Sequence, residues 1–150
     1  MILNQEEIKN LLPHRKPFLF LDSVEILEIG IKGIGYKTFQ KEEYFFEGHF
    51  PQMPIVPGVI LIETLAQTSG VVVAQGFKND DEKSVLFMNI SKAKFRKPVF
   101  PNELISFEVH FINKVKSVYK FQGTAIKNKV KVCEAEFSAM IIDKSSKEII

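Results

Sequence analysis

His49 and Glu63 are the side chains whose types and setting best suit proton transfer, and one short stretch joins them: Gly48-His49-Phe50-Pro51-Gln52-Met53-Pro54-Ile55-Val56-Pro57-Gly58-Val59-Ile60-Leu61-Ile62-Glu63. Pro51, Pro54 and Pro57 fix φ and lower the entropy of the loop, so His49 can be held in one place. Gly58 opens a helix and lacks a Cβ, which lets a ligand oxygen approach its backbone N–H. Free donors and the macrodipole favour negative charge at a helix N-terminus, and an enolate oxygen is such a charge. Glu63 lies among apolar neighbours, where a carboxylate is costly unless it has a partner or a task. Gln67 falls one turn further on the same face and is placed to orient it. Each feature also has a plain reading. A loop histidine is more often structural than catalytic, an isolated glutamate on an apolar helix can face a dimer seam, and glycine after proline is commonplace at helix starts. It is their conjunction that points to chemistry.

The elements that must position these groups follow from pattern. Asn4 and Glu7 make a capping-box start for a helix over Gln5 to Leu12, which Pro13 ends. Phe18 to Ile29 reads as a strand with an irregularity at Asp22-Ser23, Gly30 as a turn, and Ile31 to Phe39 as a glycine-weakened strand. Phe45 to Pro57 has no clean period and reads as a rigid loop. Gly58 to about Gln75 is apolar almost all round, so the spacing predicts a helix surrounded by protein. Four strands follow: Val85 to Arg96, Leu104 to Val115, Val118 to Ile126 and Val130 to Ile142. In the last, Cys133, Ala135, Phe137, Ala139 and Ile141 share one face, so Cys133 reads as core rather than nucleophile. Short connections predict antiparallel neighbours. One buried helix and five or six long strands imply an α+β fold in which the sheet curls around the helix. A sheet wrapped on one helix leaves an edge open, and pairing that edge with a second copy removes the hazard, so a homodimer is expected.

Composition narrows the class. The 150 residues suit a single domain spanning 1–150. Apolar residues form 45 % and charged residues 25 %, as in ordinary soluble domains. The 14 Phe residues supply apolar space for a core or an oily ligand, and a net charge of +2 is too small to indicate nucleic acid. One cysteine excludes an intrachain disulfide and suits a reducing cytoplasm. The acidic N-terminus is unlike a secretion signal, and Glu63 and Gln67 interrupt the longest apolar stretch, so no membrane insertion is expected.

The loop and helix resemble the (3R)-hydroxyacyl-[acyl-carrier-protein] dehydratases of the hot-dog fold, which serve type II fatty-acid synthesis. The likeness extends through Leu12-Pro13-His14-Arg15-Lys16-Pro17-Phe18-Leu19-Phe20-Leu21-Asp22, Leu65-Ala66-Gln67 and Lys94-Phe95-Arg96-Lys97-Pro98-Val99. Gln52 stands where the family usually has Gly, and Asn102-Glu103 where Gly-Asp is common. Asn tolerates the left-handed conformation, so a turn rather than chemistry is affected there. The resemblance implies a long antiparallel sheet around one central helix, dimers that often assemble as trimers of dimers, and no metal or organic cofactor. It implies loss of water from a 3-hydroxyacyl thioester to give the trans-2-enoyl product. His49 would take the C2 proton, Gly58 N–H would hold the thioester oxygen, and Glu63, from the other subunit, would assist departure of the hydroxyl, directly or through water. Glutamate rather than aspartate at 63 resembles the dehydratase branch and predicts little double-bond isomerisation.

The substrate would arrive on the phosphopantetheine arm of an acyl carrier protein. Lys92, Lys94, Arg96 and Lys97 are candidates to dock that acidic carrier, although a solvated strand face explains them equally well. Ile60, Phe87, Ile90, Phe95, Val99 and Phe100 are candidates for an acyl tunnel, with Phe100, flanked by Pro98 and Pro101, as a gating ring; core packing explains most of them too. His14 and His110 are assigned to structure or surface. Two alternatives stand beside this reading: a hot-dog acyl thioesterase, and a non-catalytic acyl-carrier-binding subunit.

Overall fold

The computed structural model describes residues 1–77 and 83–143, without the side chain of residue 143; the expected domain span of 1–150 also takes in residues outside that description. The chain runs β1 (Ile2–Asn4), α1 (Gln5–Leu11), β2 (Ser23–Glu28), β3 (Lys32–Thr38), a 3₁₀ turn (Tyr44–Glu47), α2 (Gly58–Ala74), β4 (Lys83–Phe95), β5 (Leu104–Val115), β6 (Val118–Lys127) and β7 (Val130–Asp143). All strand pairs are antiparallel, in the order β1-β2-β3-β5-β6-β7-β4. The sheet wraps α2, which packs against β2 through β7, as the hot-dog arrangement requires.

Alternation in β5, β6 and β7 sends Ile105, Phe107, Val109, Phe121, Ala125, Ala135, Phe137 and Ala139 into the core against the helix. Cys133 is buried with them, and desolvation pushes its thiol up to about 11, which suits a core residue and not a nucleophile. Gly33 and Gly35 let β3 approach α2 closely: a Cβ at Gly33 would lie 2.5 Å from Val72 Cγ2, and one at Gly35 would strike Thr68. The hydroxyls buried on α2 are satisfied within the helix, with Thr64, Thr68 and Ser69 donating to the carbonyls of Ile60, Thr64 and Ala66.

The capping box at Asn4 and Glu7 forms as expected. Two sequence expectations change. β1 was not anticipated; its three residues are too short for a pattern to register. The first long strand begins at Ser23 rather than Phe18, because the backbone of 18–21 bonds to side chains instead of a ladder. Asn102 takes φ 66°, the left-handed conformation that asparagine tolerates. The two sheet edges are unequal: β1 has three residues and β4 has thirteen, with Leu86, Phe87, Met88 and Ile90 exposed along the latter.

Candidate active site

The 49–56 loop closes on itself before α2 begins. Phe50 and Met53 exchange backbone hydrogen bonds of 3.2 and 3.1 Å, Ile55 N–H donates to His49 O at 2.9 Å, and Val56 N–H donates to Val99 O at 2.8 Å. The His49–Phe50 and Lys16–Pro17 peptide bonds are cis. The His49 ring stacks on Phe50, with centroids 4.2 Å apart, and its Nδ1 lies 2.8 Å from Ile55 O. A carbonyl can only accept, so Nδ1 carries the ring hydrogen in the neutral imidazole. Nε2 is then left with a bare lone pair, the form a general base needs.

His49 lines a groove of about 430 Å³ together with Gly58, Leu61, Phe95, Lys97 and Val99. Pro57 is the N-cap of α2 and offers no side-chain acceptor, so the Gly58 N–H at the positive end of the helix has no protein partner among the described residues. The glycine serves packing as well as a ligand: a Cβ there would lie 2.5 Å from Phe95 Cε1. One wall of the groove is thus an aromatic ring held against the start of the helix.

Glu63 does not line that groove. At 100° per residue it sits roughly 140° around α2 from Gly58, on the flank facing the segment after α1. Its Oε2 accepts from Gln67 Nε2 at 3.0 Å, and Gln67, fully buried, also donates to Phe18 O at 2.9 Å and accepts from Phe20 N–H at 2.9 Å. The one-turn spacing thus brings the Gln67 amide to the Glu63 carboxyl. Desolvation pushes the Glu63 carboxyl above its ordinary value, opposed in part by the Gln67 bond. No ion pair or hydrogen bond links His49 to Glu63 within one chain.

His14, assigned above to structure or surface, also lies near the carboxyl. His14 Nε2 lies 3.7 Å from Glu63 Oε2, with the two side chains only 13 % and 18 % exposed. The signal was the same as for His49, a histidine in a proline-stiffened segment, here between Pro13 and Pro17. His110 is exposed on β5, as assigned. Of the tunnel candidates, Phe95 and Val99 line the groove; Ile60, Phe87, Ile90 and Phe100 do not, and the Phe100 ring instead faces Lys127 Nζ at 5.7 Å. Of the basic candidates, Lys92 is tied to Glu136 at 2.8 Å and Arg96 to Glu134 at 3.1 Å, while Arg96 and Lys97 also border the groove. Among the described residues no cluster of three or more His, Cys, Asp or Glu side chains could hold a metal, and no helix is long and apolar enough to cross a membrane.

A sheet wrapped on a buried helix, with an imidazole and a helix N-terminus sharing one groove, defines the class, and comparison with known proteins agrees. The family profile of the FabA-like domain matches residues 12–136. The 3-hydroxyacyl-[acyl-carrier-protein] dehydratase FabZ of Clostridium kluyveri is 43 % identical over 142 residues, covering 93 % of this chain and 96 % of that protein. The bifunctional enzyme LpxC/FabZ of Chlorobaculum tepidum is 39 % identical over 146 residues, which are 97 % of this chain but 31 % of that longer protein. Among solved structures, the dehydratase heterocomplex ApeI:P from Xenorhabdus doucetiae superposes with a TM-score of 0.73 at 14 % identity over 92 % of each chain, a likeness of fold. The chain therefore belongs to the FabZ-type 3-hydroxyacyl-[acyl-carrier-protein] dehydratases, hydro-lyases of the FabA-like family.

Proposed function

We propose that the chain removes water from (3R)-3-hydroxyacyl groups carried on acyl carrier protein, in fatty-acid synthesis and in supply of acyl chains for lipid A, with His49 as base and Glu63 as acid. The observation that carries this reading is the His49 Nδ1–Ile55 O bond of 2.8 Å, which in the neutral ring places the lone pair on Nε2, in a groove shared with the Gly58 N–H, itself without a partner among the described residues. Nε2 takes the C2 proton, and the electron pair moves onto the thioester oxygen, where Gly58 N–H and the end of α2 stabilise it. That pair returns to form the C2–C3 double bond as the C3–O bond breaks. Glu63 gives its proton to the departing hydroxyl, which leaves as water; the proton left on His49 then moves back to Glu63 to reset the site. Burial supports this role for Glu63, because it favours the protonated carboxyl.

We read the complete site as a homodimer's, with each groove receiving the partner copy's carboxyl; the lack of a bond between His49 and Glu63 within one chain is consistent with that reading. The thirteen-residue edge of β4 and the exposed Met53, Val59 and Phe95 near the groove suit that second copy. Arg96 and Lys97 at the groove rim would meet the phosphate of the phosphopantetheine arm. The test is hydration of a crotonyl thioester, followed by loss of enoyl absorbance. Wild type should turn over and His49→Ala should lose activity on the order of a hundredfold or more. Release of free thiol without hydration would replace this reading with a thioesterase, and binding without turnover would replace it with a carrier-binding subunit.

A further inference from the structure

The segment after α1 brings a second histidine to the carboxyl. Arg15 fastens that segment to the end of α1, its guanidinium donating to Leu12 O at 2.8 Å, His14 O at 2.8 Å and Lys9 O at 3.1 Å. The His14 ring is thereby held with Nε2 toward Glu63 Oε2, and with Nδ1 buried and without a partner. A buried N–H left without an acceptor is rarer and costlier than a bare acceptor. The ring's proton therefore sits on Nε2, where the carboxyl oxygen can receive it. Burial, and then the Arg15 cation, hold His14 below the ordinary histidine range, so the ring is neutral near pH 7 and has one proton to offer.

Building on the dehydratase reading above, we propose that His14 is a positioning residue for Glu63. Its Nε2–H and the Gln67 amide converge on Oε2, so Oε1 is the oxygen left to carry and deliver the proton. Gln67 is already bonded at 3.0 Å, and His14 stands at 3.7 Å, about 0.5 Å beyond the long end of an N–H···O bond. A turn of the carboxyl toward the ring would close that gap, and hydrogen bonds of catalytic groups commonly tighten when substrate binds. Among the described residues, the groups facing Glu63 are Gln67 on its own helix and His14 from the segment after α1; no lysine, arginine or second carboxylate lies within ion-pair distance of it. Glu63 Oε1 has no protein partner among them.

The two donors divide the labour. Gln67 is committed to Phe18 and Phe20 as well, so its position is fixed by the fold. His14 has no side-chain hydrogen bond among the described residues, so its ring is free to meet the carboxyl as that turns toward substrate. A donor to a carboxylate favours the charged form, so removing His14 raises the Glu63 midpoint further.

The experiment uses the full chain with His14→Leu, which lacks the donor, and His14→Gln, whose side-chain amide reaches the place of Nε2. Steady-state hydration of a crotonyl thioester gives kcat and KM. Isotope-edited infrared titration of ¹³C-glutamate protein, with Glu63→Gln subtracted, gives the protonation midpoint of Glu63 itself. Thermal melting reports folding. We expect His14→Leu to lower kcat on the order of tenfold to a hundredfold, the loss of one hydrogen bond to a charged group, with KM little changed and the Glu63 midpoint raised. His14→Gln should recover most of both. An unchanged midpoint in folded His14→Leu overturns the proposal, as does an equal fall in kcat for the Leu and Gln variants, which would mark a packing role. Absence of turnover in wild type would remove the dehydration reading, while the infrared midpoint would still decide whether His14 holds the carboxyl.

Discussion

Replacing Gln67 with methionine separates what its amide does from what its volume does. Methionine keeps the length and fills the same fully buried space, so no cavity opens. Three hydrogen bonds disappear: those to Phe20 N–H, Phe18 O and Glu63 Oε2. The Phe20 bond is buried, and the other two are partly buried. An orphaned interior group costs roughly 1–3 kcal/mol; counting Phe20 N–H in full and the others at about half gives about 2–6 kcal/mol. That is a large share of a typical domain's stability. The thermal midpoint should fall by at least about 4 °C. Urea unfolding at one fixed protomer concentration measures the loss, since assembly couples stability to concentration. Gln75→Met at the end of the same helix is the control and should stay within about 0.5 kcal/mol of wild type. If Gln67→Met were as stable as Gln75→Met, the amide would not be what holds residues 18–21 against α2.

Three further outcomes test the proposed site and its surroundings. Mixing His49→Ala with Glu63→Gln protein and allowing subunits to exchange should restore activity; random pairing makes half the dimers mixed, each with one intact site, so recovery approaches about a quarter of wild type, and no recovery after proven exchange would place the site within one chain. Gly58→Ala should cost about 1–3 kcal/mol, because its Cβ meets the Phe95 ring at 2.5 Å; adding Phe95→Ala should return most of that, and a strictly additive double mutant would refute the contact. Glu63 has a raised pKa in the fold, so the stability it contributes is fully present below the ordinary value of 4.5 and is lost as pH rises through its folded midpoint. Glu63→Gln should therefore melt higher than wild type at pH 8, with the gain gone at pH values well under 4.5; a variant that melts lower at pH 8 contradicts a desolvated carboxyl.

What could be read from the sequence was whatever repeats along the chain. The alternation in β5 and β7 and the all-apolar run of α2 located those elements and their buried faces, because burial acts on every second residue of a strand and all round an enclosed helix. The loop holding His49 was legible because its prolines mark it, and the Gln67–Glu63 bond because one helical turn separates the pair. The segment over 18–21 was misread as strand, since its Phe and Leu residues have the right character but Gln5 and Gln67 take its backbone hydrogen bonds. No local pattern announces a bond between residues 49 positions apart. His14 was assigned to structure or surface for the same reason: only folding brings it near Glu63.

These long-range bonds explain why a helix that must stay buried can still present a titrating group. Among the described residues Glu63 takes its hydrogen bond from Gln67 on its own helix, and no strand of the sheet supplies another. That segment is itself irregular, and it stays ordered because Gln67 and Gln5 give it the hydrogen bonds a ladder would have given. The helix offers the amide that replaces β-pairing, and the irregular chain places the His14 ring beside the carboxyl. Changes that regularise residues 18–21 into strand should on this logic disturb the Gln67–Glu63 bond while leaving the His49 groove, built by α2, the 49–56 loop and residues 95–99, intact.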